Sequence, residues 1–166
     1  MKSLKRLFLF SIAIAGLLWV FGFFTPDPKI IITRQLRKLT ELASFTSSEP
    51  SFQRFGKVKQ MGKLFSEDVI IVADYAELEN HTLKGRDELM QAMMAAKPFG
   101  SGLSVEFIDI NIELGSEKKS ALVDVTLKGR FGGDTELIAQ ELSITFKRIK
   151  GEWLITRAET VHTLKP

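Results

Sequence analysis

Cysteine is absent from the 166 residues, which excludes a disulfide framework, a thiolate nucleophile and any cysteine-ligated metal centre. Histidine occurs twice, at His81 and His162, far apart and with no carboxylate at the spacing of an H-E-x-x-H site, so no metal is expected. Glycine-rich phosphate loops and the G-x-S-x-G elbow are also missing, and no cofactor is expected. Nor does one sign of charge dominate. Lys and Arg number 23 against 20 Asp and Glu, a net charge of +3, and part of that excess sits in Lys2, Lys5 and Arg6. The rest of the chain is close to neutral. It lacks the basic stripe and interleaved stacking aromatics of a nucleic-acid binder, so nucleic acid is not an expected partner.

What is present begins with "LFLFSIAIAGLLWVFGFF", an uncharged run from Leu7 to Phe24. As a helix it would extend roughly 27 Å, just enough to cross a bilayer. A cleaved signal peptide competes with this reading, because "AIAG" at Ala13 to Gly16 resembles a small-residue cleavage site. Cleavage there would leave an apolar new terminus, Leu17 to Phe24, so an uncleaved single-pass anchor is the expectation. The basic N-terminus then lies in the cytoplasm and the following domain outside, periplasmic in a bacterium. The chain divides into a cytoplasmic stub and anchor, residues 1–26, and one domain, residues 27–166.

Asp27 followed by Pro28 starts a helix: a carboxylate can cap free N–H groups, and Pro suits the first helical position. Ile32, Leu36, Leu39 and Ala43 recur at helical spacing and predict an amphipathic helix from Pro28 to about Phe45. After the "TSSEP" turn, Phe52, Phe55, Val58 and Met61 predict a second helix. "DVIIVAD", Asp68 to Asp74, reads as a buried strand with a short partner in "ELENHTL". A third helix is expected over Lys84 to Lys97, its Met90, Met93 and Met94 filling the core.

From Gly102 the periodicity changes to two, in four segments: Leu103 to Leu114, Ser120 to Phe131, Leu137 to Ile149 and Trp153 to Leu164. "GSEKK", "GGD" and "KG" are the hairpin connections of an antiparallel meander. In the first of these strands the apolar phase is odd through Phe107 and even from Ile108, which predicts a β-bulge and a bend. The expected fold class is α+β: three N-terminal helices packed on a strongly curved antiparallel sheet, a cone preceded by one transmembrane helix.

Candidate site residues come from the last strand. If that strand is regular, Arg157 and Glu159 share a face with Trp153 and Ile155. They are then either polar groups of a ligand pocket, Arg157 holding an anionic ligand and Glu159 orienting it, or a structural ion pair with each other or with Glu141 or Lys147. His81 as a general base with Asp74 or Glu79 competes with an exposed strand-end histidine.

"FSEDVIIVAD" leading into "LKGRDELMQAM", and three long strands closing in "ITFKRIKGEWLITRAETV", resemble the nuclear transport factor 2-like superfamily, also called SnoaL-like or ketosteroid-isomerase-like. The resemblance covers about Ile30 to Val161. It implies a conical pocket between helices and sheet, and a homodimer formed through the other face of the sheet. It also implies a catalytic place for Asp74, which follows its strand and precedes the Gly-started helix as the aspartate base of ketosteroid isomerases does. Such a base removes a proton next to a carbonyl while a Tyr and a protonated acid hold the oxyanion. No Tyr occurs in Ile30 to Phe45, where the family's Tyr belongs, and Tyr75 is adjacent to Asp74 on the strand. The competing reading of Asp74 is a turn aspartate. The expected function is a membrane-anchored, extracytoplasmic binding or assembly module that is not an enzyme. It would bind a protein partner or a small apolar ligand, with Trp153, Tyr75, Arg157 and Glu159 as ligand-binding groups. The alternative is a cofactor-free isomerase, dehydratase or hydrolase acting on a small apolar substrate.

Overall fold

A computed structural model of the chain describes residues 26–46, 48–75, 78–95, 102–132 and 137–161. The expected membrane segment, Leu7 to Phe24, lies outside them, and no described helix is long and apolar enough to cross a membrane. The elements in chain order are α1 (Pro28–Ala43), β1 (Phe45–Thr46), α2 (Ser51–Gly62), β2 (Phe65–Tyr75), β3 (Leu78–Lys84), α3 (Arg86–Ala95), β4 (Gly102–Leu114), β5 (Ser120–Phe131), β6 (Leu137–Ile149) and β7 (Glu152–Thr160). Three helices pack on one face of a curved seven-stranded sheet of order β1-β4-β5-β6-β7-β2-β3.

Helix α1 begins as its residues dictate. Asp27 caps it, the carboxylate accepting from the Lys29 amide at 2.9 Å, and Pro28 opens the first turn. Its end falls two residues earlier than expected. The Ser44 hydroxyl donates to the Thr40 carbonyl (2.8 Å) and accepts from the Val105 amide (3.0 Å), so the chain leaves the helix to pair with β4. Phe45 and Thr46 form the short strand β1 opposite Leu103 and Gly102, where the sequence had suggested helix and turn.

Strands β4 to β7 form the expected antiparallel meander. β6 and β7 are joined by the two-residue loop Lys150-Gly151, both at positive φ (51° and 92°), as a type I′ turn requires. The sheet is not wholly antiparallel, because β7 runs parallel to β2. A parallel pair needs a long connection, and here it runs from β2 through β3, α3 and the strands β4 to β6 before β7 closes beside β2.

Two register shifts bend the sheet. In β4 the residues Asp109 and Ile110 oppose the single residue Val125, with Asp109 at φ 52°. Phe107 and Ile112 therefore both face the helices, while Ile108, expected to open the inward phase, sits on the outer face opposite Thr126. In β7 one extra residue, Thr156, lies between Ile155, which pairs with Phe146, and Arg157, which pairs with Thr145.

The core is tightest at the end of the sheet where α1 starts. Ile32 and Leu36 of α1 meet Phe146, Val123, Ile144, Trp153 and Ile155, each no more than 3 % exposed. Gln35 ties α1 to β7 by donating from Nε2 to the Trp153 carbonyl at 2.7 Å. Of the methionines expected to fill the core, Met93 packs against it, while Met94 is exposed.

Candidate functional site

Burial falls steadily from the end where α1 starts to the end where it stops. Along β6, Phe146 and Ile144 are closed off, Leu142 is half-buried and Ile138 is 48 % exposed. The same drop runs from Ala121, Val123 and Val125 to Leu127 on β5, and from Ile32 and Leu36 to Leu39 and Leu42 on α1. All these side chains point to the helix side of the sheet, so the apolar interior is sealed at one end and opens at the other. We call these the narrow and wide ends.

The rim of the wide end is apolar as well. Phe52 (73 % exposed) and Phe55 (59 %) start α2, Met94 lies near the end of α3, and Leu137 begins β6. Helical spacing had suggested that Phe52 and Phe55 belong to the buried stripe of their helix. Only its last turn is buried, at Met61, because α2 leans on the sheet where it runs into β2 and stands clear of it where it begins.

Beside this rim an open-sided cleft of about 670 Å³ lies between the α1–α2 connection and the ends of β4 and β5. Phe45, Leu103 and Phe131 supply apolar wall, and Gln53, Lys57 and Arg130 supply polar groups. The Lys57 ammonium donates to the Ser44 carbonyl and pairs with the Glu49 carboxylate, both at 2.8 Å, and the Glu49 side chain is only 8 % exposed. This pair pins the connection to α2. Arg130 is exposed and forms no ion pair among the described residues, which leaves its guanidinium available to an anionic group at the cleft mouth.

The residues singled out from the sequence fall in three places. Asp74 and Tyr75 close β2 at the wide end, where the register with β3 shifts between Ala73 and Tyr75; their side chains lie outside the described residues, as does that of His81. Trp153 is at the narrow end, 3 % exposed and packed in the core. Arg157 and Glu159 are on the outer face of the sheet, with Thr145 and Ser143 as cross-strand neighbours.

The expected common face for Trp153, Arg157 and Glu159 is thus corrected. One inserted residue, Thr156, turns everything after it to the opposite face. Arg157 and Glu159 pair with each other: Nη2 and Nε approach one Glu159 oxygen at 2.7 and 2.8 Å, with both side chains about two-fifths exposed. Sequence reasoning missed the Glu49–Lys57 pair, which depends on how the turn before α2 folds back, and Arg130, which the β4–β5 hairpin brings beside it.

No protein-family model matches the chain, and no curated protein matches it. Solved structures do. An NTF2-like protein with a cystatin-like fold from Novosphingobium aromaticivorans superposes with a TM-score of 0.62 at 14% identity, over 89% of this chain and 86% of that one. A protein from the same organism assigned as a scytalone dehydratase gives 0.56 at 19% identity, over 83% and 88% of the two chains. A protein from Parabacteroides distasonis assigned as a ketosteroid isomerase gives 0.54 at 16% identity, over 84% and 89%. The described domain is therefore an α+β domain of the nuclear transport factor 2-like, cystatin-like fold. At these identities the likeness establishes the fold and leaves function to the site.

Proposed function

We propose that this chain is a membrane-tethered binding domain, without catalytic activity, whose wide end takes up a small apolar ligand. The observation that carries the reading is the opening of an apolar interior, from closed Phe146 to half-buried Leu142 and Leu127, inside a rim of exposed Phe52, Phe55 and Met94. Exposed aromatic side chains beside half-buried apolar ones are what a ligand covers, since their burial returns about 25 cal/mol per Å² removed from water. The tether is the apolar run Leu7 to Phe24; Lys2, Lys5 and Arg6 before it support an extracytoplasmic domain, against the opposing Lys29, Arg34, Arg37 and Lys38 that follow it.

The test is saturable binding of an apolar reporter such as anilinonaphthalenesulfonate by the folded domain. Leu127→Arg, in the opening, should abolish it, and Leu122→Arg, on the outer face, should leave it unchanged. Equal binding by parent and Leu127→Arg would end the proposal. Self-association through the outer sheet face belongs to the same reading. Its support is Leu122, 42 % exposed on that face near the hydrogen-bonded pair Asp124 and Ser143. Sedimentation of Leu122→Glu as a monomer where the parent is a dimer would bear this out, and a monomeric parent would refute it.

A second reading, a cofactor-free enzyme, has one observation in its favour: Asp74 ends its strand at the same wide end. It requires exchange of the protons next to the carbonyl of an apolar ketone in deuterium oxide, lost in Asp74→Asn. Absence of exchange in the parent removes it.

A further inference from the structure

The narrow end carries a second cavity, of about 560 Å³, enclosed by the start of α1, the β4–β5 turn, Arg148 and Trp153. Its mouth is cationic. Lys29, Lys118, Lys119 and Arg148 line it, all exposed, together with the carboxylates of Asp27 and Glu117. Those two acids are already engaged, Asp27 with the Lys29 amide as helix cap and Glu117 with Lys119 at 2.8 Å. Lys29, Lys118 and Arg148 form no ion pair among the described residues.

We infer that this end of the domain docks on the anionic phospholipid headgroups of the membrane that Leu7 to Phe24 crosses, an inference that rests on the anchor reading above. Pro26, two residues beyond Phe24, itself lines the cavity. Two residues of extended chain reach about 7 Å, so the tether keeps Pro26, on the cavity's border, within about one Debye length, ~8 Å, of the lipid surface, with the cations on the same cavity. At that separation each uncompensated Lys or Arg strengthens contact about fivefold on an anionic surface. Three of them fix the orientation of the domain: narrow end against the headgroups, wide end turned away from the bilayer. Lys29 sits on α1 and Arg148 on β6, while Lys118 and Lys119 lie in the β4–β5 turn. The Arg148 amide donates to the Lys119 carbonyl at 2.7 Å, which locks the two hairpins together.

Because the chain has no cysteine, Ser116→Cys in the β4–β5 turn and Ser48→Cys at the wide end each give one site for a fluorescent label. The full chain is reconstituted in vesicles of phosphatidylcholine, or of an equimolar mixture with phosphatidylglycerol, containing headgroup spin-labelled lipid. Quenching at Ser116→Cys should rise in the anionic vesicles, fall with added salt, and disappear in Lys118→Glu/Lys119→Glu; Ser48→Cys should stay unquenched throughout. Both lysines are exposed turn residues, and an unchanged Tm confirms that the double variant folds. Equal quenching at Ser116→Cys in neutral and anionic vesicles overturns the docking and leaves the anchor standing. Flotation with neutral vesicles at alkaline pH reads the anchor separately, and its failure overturns both.

Discussion

Replacing Phe146 by alanine should cost the domain far more than replacing Leu142, although both sit on the same face of β6, four residues apart. Phe146 is fully closed off, between Ala121 on β5 and Ile155 on β7. Its truncation removes a buried ring and leaves a cavity that close-packed neighbours cannot fill, a loss of about 3–5 kcal/mol. Leu142 is half-buried where the interior opens. Its truncation gives up only part of the transfer free energy, about 1–2 kcal/mol, because that space already communicates with solvent. With a slope of about 2 kcal/mol per molar urea, the midpoint should fall by roughly 2 M for Phe146→Ala and by less than about 1 M for Leu142→Ala. Urea titrations followed by fluorescence and far-ultraviolet circular dichroism would measure both, with equal slopes required for the comparison. A Leu142→Ala loss as large as that of Phe146→Ala would show that the wide end is packed like the narrow one, and the ligand-binding reading would lose its support.

Three further outcomes follow from the geometry. Arg157→Gln and Glu159→Gln should each change stability by less than about 1 kcal/mol, since the pair is exposed, and neither should alter uptake of an apolar reporter; reduced uptake would bring the outer face back as a ligand site. Deleting Thr156 should likewise be tolerated, because Arg157 would then follow inward-facing Ile155 directly and stay on the outer face opposite Thr145; loss of cooperative unfolding would show that the bend at Thr156 is itself required. The Asp68 carboxyl is held below the ordinary aspartate range, chiefly by the dipole of the nearby Ser66 hydroxyl and then by its own backbone amide. Because its folded pKa is depressed, its contribution is complete above the unfolded value and lost as pH falls through the folded one; Asp68→Asn should flatten the acid limb of the urea midpoint measured against pH.

Much of the fold was legible because its signals are local. Asp27-Pro28 specified where α1 starts, β-branched runs and turn residues specified the order of strands, and the change of apolar phase in the first long strand announced the bulge that Asp109 and Ile110 form. The anchor reading likewise rests on local composition, at Leu7 to Phe24. The site was not legible in the same way. An extra residue at Thr156 leaves no trace in the alternation of Trp153, Ile155, Arg157 and Glu159, yet it decides which face the last two occupy. Phe52 and Phe55 repeat at helical spacing whether or not a sheet lies beneath them. The place of Arg130 beside the junction of Ser44, Glu49 and Lys57, and the cationic end built from Lys29, Lys118 and Arg148, join residues distant in sequence. Periodicity along the chain specifies elements because side-chain direction repeats with the backbone; strand register and the seating of helices specify faces, and those are settled only when distant segments pair.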